Sequence, residues 1–214
     1  YIYGGTGSVS DQVVMEIVTA SPSGSFNIRT DAKLRDTSAW YHIVGILDTT
    51  QATSSNRMKL YINGQHQTDL SSSTYPTQNF EGVVNSTSFN QRIGKRGTSV
   101  DAEANMYMAE VNFIDAPIFT AATTSGSATV TGISSTATLK VGMAVSSSTT
   151  SVIPDGTTIA SIDSSTQITL SANATATNGS APLSFNATID FFGETKEGIW
   201  VPKEYVGPYG TNGY

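Results

Sequence analysis

Cysteine is absent from these 214 residues. Disulfides and thiolate metal sites are therefore excluded, and folding must rest on the core or on oligomerisation. Charge is scarce too: Asp, Glu, Lys and Arg make up 13% of the chain, with a net charge of −6. A general nucleic-acid binder needs a basic surface to neutralise phosphates, so the composition argues against that class. No run of about 18 apolar residues occurs, so no helical membrane span is expected. There are two histidines and no Gly-x-Ser-x-Gly string, which leaves little for a nucleophilic triad. No signal-peptide pattern follows Tyr1.

What is present reads as β-structure. The length suits one large β-sandwich or two smaller domains, and it is enough to bury a core. The stretch from Asp36 to Gly64, DTSAWYHIVGILDTTQATSSNRMKLYING, is the most informative. Trp40–Leu47 is an apolar run of residues that suit a pleated surface. Arg57–Asn63 alternates, with Met58, Leu60 and Ile62 on one face and Arg57, Lys59 and Tyr61 on the other. Asn63-Gly64 is a hairpin signal because both residues tolerate positive φ. The polar segment Asp48–Asn56 between the two runs is expected to be a solvated loop.

Other strands follow from the same patterns. Val13–Val18, Ser25–Thr30, Gln65–Leu70, Phe80–Val84, Phe89–Ile93 and above all Met106–Ile114 are expected strands. Tyr1–Ser10 is expected to be a strand end and turn, Ser21–Gly24 and Gly94–Ala104 turns, and Ser71–Asn79 a loop. Pro117 then ends the Met106–Ile114 ladder. From Phe119 to Thr188 the composition shifts. These 70 residues hold three charges (Lys140, Asp155 and Asp163), no Tyr or Trp, and mostly Ser, Thr and Ala. Low complexity suggests a linker, but Ala128–Ile133, Leu139–Val145, Thr157–Ile162 and Gln167–Leu170 carry strand patterns. Gly142, Asp155-Gly156 and Asp163–Ser165 punctuate them. An ordered β-module is expected. One helical turn is expected near Ile189–Phe192, with Asp190 in it.

Several of these stretches carry a family resemblance. Trp40-Tyr41-His42-Ile43-Val44, followed by Tyr61-Ile62-Asn63-Gly64, resembles adjacent strands of the laminin-G / concanavalin A-like jelly-roll superfamily. Leu34–Asp36, Met108–Asp115, Phe192–Thr195, Trp200–Tyr205 and Tyr209–Gly213 resemble the version found in bacteriophage virion and tail-fibre proteins. The segment 118–188 resembles a small Ser/Thr-rich β-module of phage structural proteins. The resemblance implies an all-β chain: a concanavalin A-like (LamG) antiparallel β-sandwich over 1–117 and 189–214, with a small β domain inserted at 118–188. Insertions are tolerated at exposed tips whose ends lie close, so the chain near Pro117 and Ile189 should come together. In the family, further strands flank such a stretch on both sides, so the chain is read as an excerpt of a longer polypeptide.

Candidate sites are few. Retaining glucanases of this superfamily carry Glu-x-Asp-x-x-Glu on one strand. The nearest string here, Glu110-Val111-Asn112-Phe113-Ile114-Asp115, replaces the middle acid with a residue that cannot ionise, so no catalytic residue is assigned. His42 is expected to be a packed structural residue and His66 a solvated one. No cofactor is expected. Some relatives bind Ca²⁺ through loop acids, and the acids available for that are Asp48, Asp69, Asp101 and Glu103, at no diagnostic spacing. Gly94-Lys95-Arg96-Gly97 lacks the frame of a phosphate loop. Asn85, Asn173, Asn178 and Asn186 open acceptor-like triplets that chance explains in so Ser/Thr-rich a chain.

Aromatics outside strand centres offer rigid area with a polar tip. Tyr75, Trp200, Tyr205 and Tyr209 are therefore the candidate binding residues, although Trp200–Tyr214 also matches the family strand that seals the sheet. The resemblance implies a non-enzymatic virion module of a tail or surface fibre, outside the cell. Its partners would be other virion subunits, a homo-oligomer that is a trimer by analogy, and host-surface glycan or protein. Neither nucleic acid nor membrane insertion is expected. The alternative is a capsid or tail decoration protein with purely architectural contacts.

Overall fold

The computed structural model describes residues 2–3, 11–18, 25–82, 107–210 and 213. Its first strands are β1 (Ile2–Tyr3), β2 (Gln12–Val18), β3 (Ser25–Lys33), β4 (Ile43–Leu47), β5 (Met58–Ile62), β6 (Gln65–His66) and β7 (Leu70–Thr74). Next come β8 (Ile118–Thr123), β9 (Thr129–Val130), β10 (Ala144–Ser147), β11 (Ile159–Ser164), β12 (Gln167–Leu170) and β13 (Asn178–Asn186). The last two are β14 (Gly193–Lys196) and β15 (Ile199–Pro202). All the strand pairs are antiparallel. The protein is all-β, as its alternating sequence dictates.

The strands form several separate sheets. One has the order β1-β2-β3-β7 and another β4-β5-β6. The inner faces of these two sheets share one hydrophobic cluster: Val13, Ile17 and Ile28 from the first, Met58, Leu60 and Ile62 from the second. The strict alternation of β5 puts its three apolar residues on the buried face. The Asn63-Gly64 turn then forms with φ of +48° and +76°, the geometry a two-residue hairpin requires.

The Ser/Thr-rich segment is ordered. Its sheets have the orders β10-β13-β8 and β11-β12-β9, and they close around a second cluster that includes Val130, Met143, Ile168, Leu183 and Phe185. No residue belongs to both clusters. Small Ser, Thr and Ala side chains let the strands approach, and a few large apolar residues fill the interior. The Phe185 N–H donates to the Pro117 carbonyl at 3.0 Å, and Ile118 lies opposite Ser184. The chain therefore enters and leaves this unit on neighbouring strands.

Several expected elements are corrected. Residues 107–114 form no strand: Tyr107, Met108 and Val111 are exposed, and Glu110 sits at φ +53°. That segment instead runs beside the chain end, where the Asp115 N–H donates to the Tyr209 carbonyl at 2.8 Å. Among the described residues no strand pairs with it, so its apolar residues are not buried by alternation. The strand expected over Gln65–Leu70 stops at His66. A new strand, β7, covers part of the expected loop Ser71–Asn79 and crosses to pair with β3. Trp40 precedes β4 and is 70% exposed. Among the described residues β15 pairs only with β14, so the described part of Trp200–Tyr214 joins no larger sheet. Strands β8 and β13 were not expected, since their Ser, Thr and Ala residues dilute the apolar signal. The short turn at Ile189–Phe191 is a 3₁₀ turn with Asp190 in it. The expectations for Tyr1–Ser10, Ser21–Gly24, Phe89–Ile93 and Gly94–Ala104 fall outside the described residues, except for β1. Phe80–Gly82 is described and carries no strand.

The second cluster depends most on its largest fully buried side chain, Phe185. Phe185→Ala should cost about 3–5 kcal/mol of unfolding free energy, through lost transfer energy and the cavity left behind. Denaturant titration followed by circular dichroism reads this directly. A loss below about 1 kcal/mol would show that the cluster is not a packed core.

Candidate functional site: an aromatic-walled cleft beside a pinned loop

The polar connection between β4 and β5 was expected to be solvated, but three side chains pin it. Asp48 is buried. Its Oδ1 accepts from the Thr50 N–H (3.1 Å) and hydroxyl (2.6 Å), and its Oδ2 from the Gln51 amide at 2.8 Å. Arg57 donates to the carbonyls of Gln51, Ala52 and Pro76 at 2.7–2.9 Å. Asp155, about a hundred residues further on, accepts from the Ala52 and Thr53 N–H groups and from Asn56 Nδ2 at 3.1–3.3 Å. Burial pushes the Asp155 carboxyl up, but these donors outweigh it and hold it below the ordinary value. Asn79 Nδ2 donates to the Ser148 carbonyl and Asn186 Nδ2 to Asp48 Oδ2, so the contact between the two β units at this loop is polar, while Phe191 packs against the second hydrophobic cluster.

The far side of this loop borders an open cleft of about 200 Å³. Half-buried Leu70 and Tyr75 and exposed His66 line it, with the buried Ile28 and Met58 beneath. Ser55, Asn56, Gln67 and Thr68 complete the lining. Tyr75 also packs against the first hydrophobic cluster, and Tyr61 stacks on His66 with ring centroids 5.0 Å apart. Partial burial and the Lys59 ammonium both push the His66 imidazole below its ordinary value, which keeps it neutral near pH 7. Among the described residues, neither the Tyr75 hydroxyl nor a His66 ring nitrogen has a hydrogen-bond partner. Asn56 both lines the cleft and donates to Asp155, so the pinned loop positions one wall.

The four aromatics named from sequence do not converge. Tyr75 alone lines the cleft. Trp200 is half-buried on β15, its ring stacked on His42 and its Nε1–H donated to His42 Nδ1 at 3.1 Å. Tyr205 was expected among accessible loop aromatics but is 5% exposed. It stacks on Phe192, donates to the Pro208 carbonyl at 2.7 Å, and burial pushes its phenol up to about 12. Tyr209 packs edge-on against Tyr205 and donates to Asn112 Oδ1 at 2.7 Å. These contacts knit the chain end to residues 112–115.

The acids named for Ca²⁺ are likewise dispersed. Asp48 has its oxygens occupied as described, Asp69 is exposed, and Asp101 and Glu103 lie outside the described residues, as does Gly94–Gly97. Among the described residues, no three His, Asp or Glu side chains gather into a potential metal cluster. Glu110 and Asp115 lie on the strandless segment, so they do not share one strand face as a glucanase pair does. The signals that sequence reading missed are His66 as a cleft wall and Asp155 as a long-range acceptor. Asp155-Gly156 reads locally as a turn, and nothing nearby in sequence marks its partners. Compared with family models, curated proteins and solved structures, the chain matches none.

Two outcomes follow from this geometry. Asp155→Ala leaves the Ala52 and Thr53 amides without their carboxylate. Exchange protection of these two amides should fall, and hydrogen exchange read by NMR checks it; unchanged protection would mean that Asp155 does not hold the loop. His42 is held below its ordinary value by burial. The stability it contributes is therefore present above about pH 6.5 and is lost as pH falls through the depressed folded value. Protonated Nδ1 cannot accept from Trp200. In a Trp40→Phe background, indole fluorescence should change with a midpoint below about pH 6.5. His42→Gln should remove that transition, and a flat profile would refute the coupling.

Proposed function

We propose that this chain is a non-enzymatic structural and adhesion module of a bacteriophage virion, part of a tail or surface fibre, that binds host-surface glycan or protein. In this reading residues 1–117 and 189–214 are a concanavalin A-like jelly roll, and 118–188 is a domain inserted in one of its surface loops. The observation that carries the binding part is the cleft: apolar residues on strands, the rings of Tyr75 and His66, and polar tips without a partner among the described residues, with the pinned loop as one border. Function sits more securely on sites held by regular elements. The family resemblance of Trp40–Val44, Tyr61–Gly64 and Met108–Asp115 supports the virion context. Many copies on one particle give avidity even when each site is weak.

A second reading is a capsid or tail decoration protein whose contacts are purely architectural. Favouring it are the exposed apolar residues Trp40, Tyr107, Ile199 and Val206, 70–92% exposed, which a neighbouring subunit of the same particle could cover.

Cryo-electron microscopy of the particle that carries the chain distinguishes the two. The adhesion reading expects the cleft and the 118–188 unit to face solvent while another surface docks on a symmetric shaft or capsid. Burial of both β units among subunits on every side would refute adhesion and leave the architectural role.

A further inference from the structure

We propose that the Tyr75–His66 cleft is a subsite for one neutral saccharide ring. This rests on the adhesion reading and gives it a chemical class. The volume, about 200 Å³, is below the roughly 300–1,000 Å³ of drug-sized ligand sites, so it suits a single ring. Among the described residues, no Asp, Glu, Lys or Arg lines it. The described lining offers a charged ligand no direct ion pair, although the Lys59 ammonium acts on His66 from nearby, and charge buried without a partner is costly.

The lining is amphipathic in the way a sugar is. Ile28 and Met58 are buried beneath it, and half-buried Leu70 is the apolar side chain that the C–H face of a pyranose would meet. The Tyr75 ring stands beside it, packed in place by the core cluster. Hydroxyls need groups that both donate and accept. The Tyr75 hydroxyl and the neutral His66 imidazole each do so, and neither has a hydrogen-bond partner among the described residues. The Tyr61 stack fixes the His66 ring, and the Asp155–Asn56 bond fixes the loop opposite, so the site is formed before the ligand arrives. Thr68, exposed at the rim, adds a further hydroxyl.

The test is an NMR titration of the ¹⁵N-labelled full chain with methyl glycosides of glucose, galactose and mannose, and separately with sialyllactose. The expected result is saturable shifts at Asn56, Gln67 and Thr68 with at least one neutral glycoside. Tyr75→Phe, which removes only the hydroxyl, should weaken binding several-fold, up to about tenfold. Tyr75→Ala should weaken it further. Should Tyr75→Ala perturb folding, Thr68→Val at the exposed rim serves in its place, with a several-fold loss expected. Shifts confined to other residues, insensitivity to both Tyr75→Phe and Thr68→Val, or binding of sialyllactose alone would each overturn the subsite. Absence of any glycoside binding would overturn it as well. The adhesion reading is scored independently, by binding of beads densely coated with the chain to intact bacteria. Beads that bind while the cleft variants have no effect sink the subsite only; beads that fail to bind across candidate hosts sink the adhesion reading.

Discussion

The arrangement of this protein depends on the loop between β4 and β5 being held by ionised side chains. Asp48 and Asp155 each accept three or more hydrogen bonds at it, and Arg57 donates three. Hydrogen bonds to charged groups are roughly twice as strong as neutral ones. In a chain with so few charges, three are committed to one ten-residue connection. A loop of Thr, Ser, Gln and Asn has no apolar side chains to bury, so without these partners its backbone groups would face water. With them it becomes both the contact with the second β unit and one wall of the cleft.

The rest of the first β unit is tied together by aromatic rings laid against glycines. The Trp200 ring occupies the space that a side chain at Gly64 or Gly193 would need. It brings the β14–β15 hairpin onto the Asn63-Gly64 turn, and its N–H reaches His42. Asn63 brackets the same histidine, since its Oδ1 accepts from the His42 N–H at 2.8 Å and its own N–H donates to the His42 carbonyl at 2.8 Å. Thus residues some 140 positions apart share one small packing unit. Tyr205 and Tyr209 do the corresponding work for the chain end against residues 112–115. Three of the four aromatics that the sequence marks as binding candidates serve structure in this way, and Tyr75 is the one whose hydroxyl has no partner among the described residues.

Polar contact between the β units and apolar packing within each have different consequences. Burying a cluster such as that around Phe185 drives folding with little directional demand. The Asp155 contacts are directional and solvent-accessible, so they add little stability but fix orientation. A fibre or surface module that presents a weak site gains from that fixity, because binding then orders few groups. The proposed adhesion role and the proposed neutral-sugar subsite both draw on this preorganisation.

Local patterns in the sequence determined the all-β character, the alternating faces of β5, the Asn63-Gly64 hairpin, strand β12 and the order of the Ser/Thr-rich segment. Period-two burial and positive-φ turns act between near neighbours, so they are written in adjacent residues. Tertiary structure alone decided that β7 leaves the hairpin to join β3, that residues 107–114 form no strand, and that Tyr205 is buried. It also decided that Asp155 is an acceptor for a loop a hundred residues away and that His66 and Tyr75 line one cleft. Each of these depends on which surfaces meet after the chain has folded, and a ladder partner or a distant donor leaves no mark at the position that needs it.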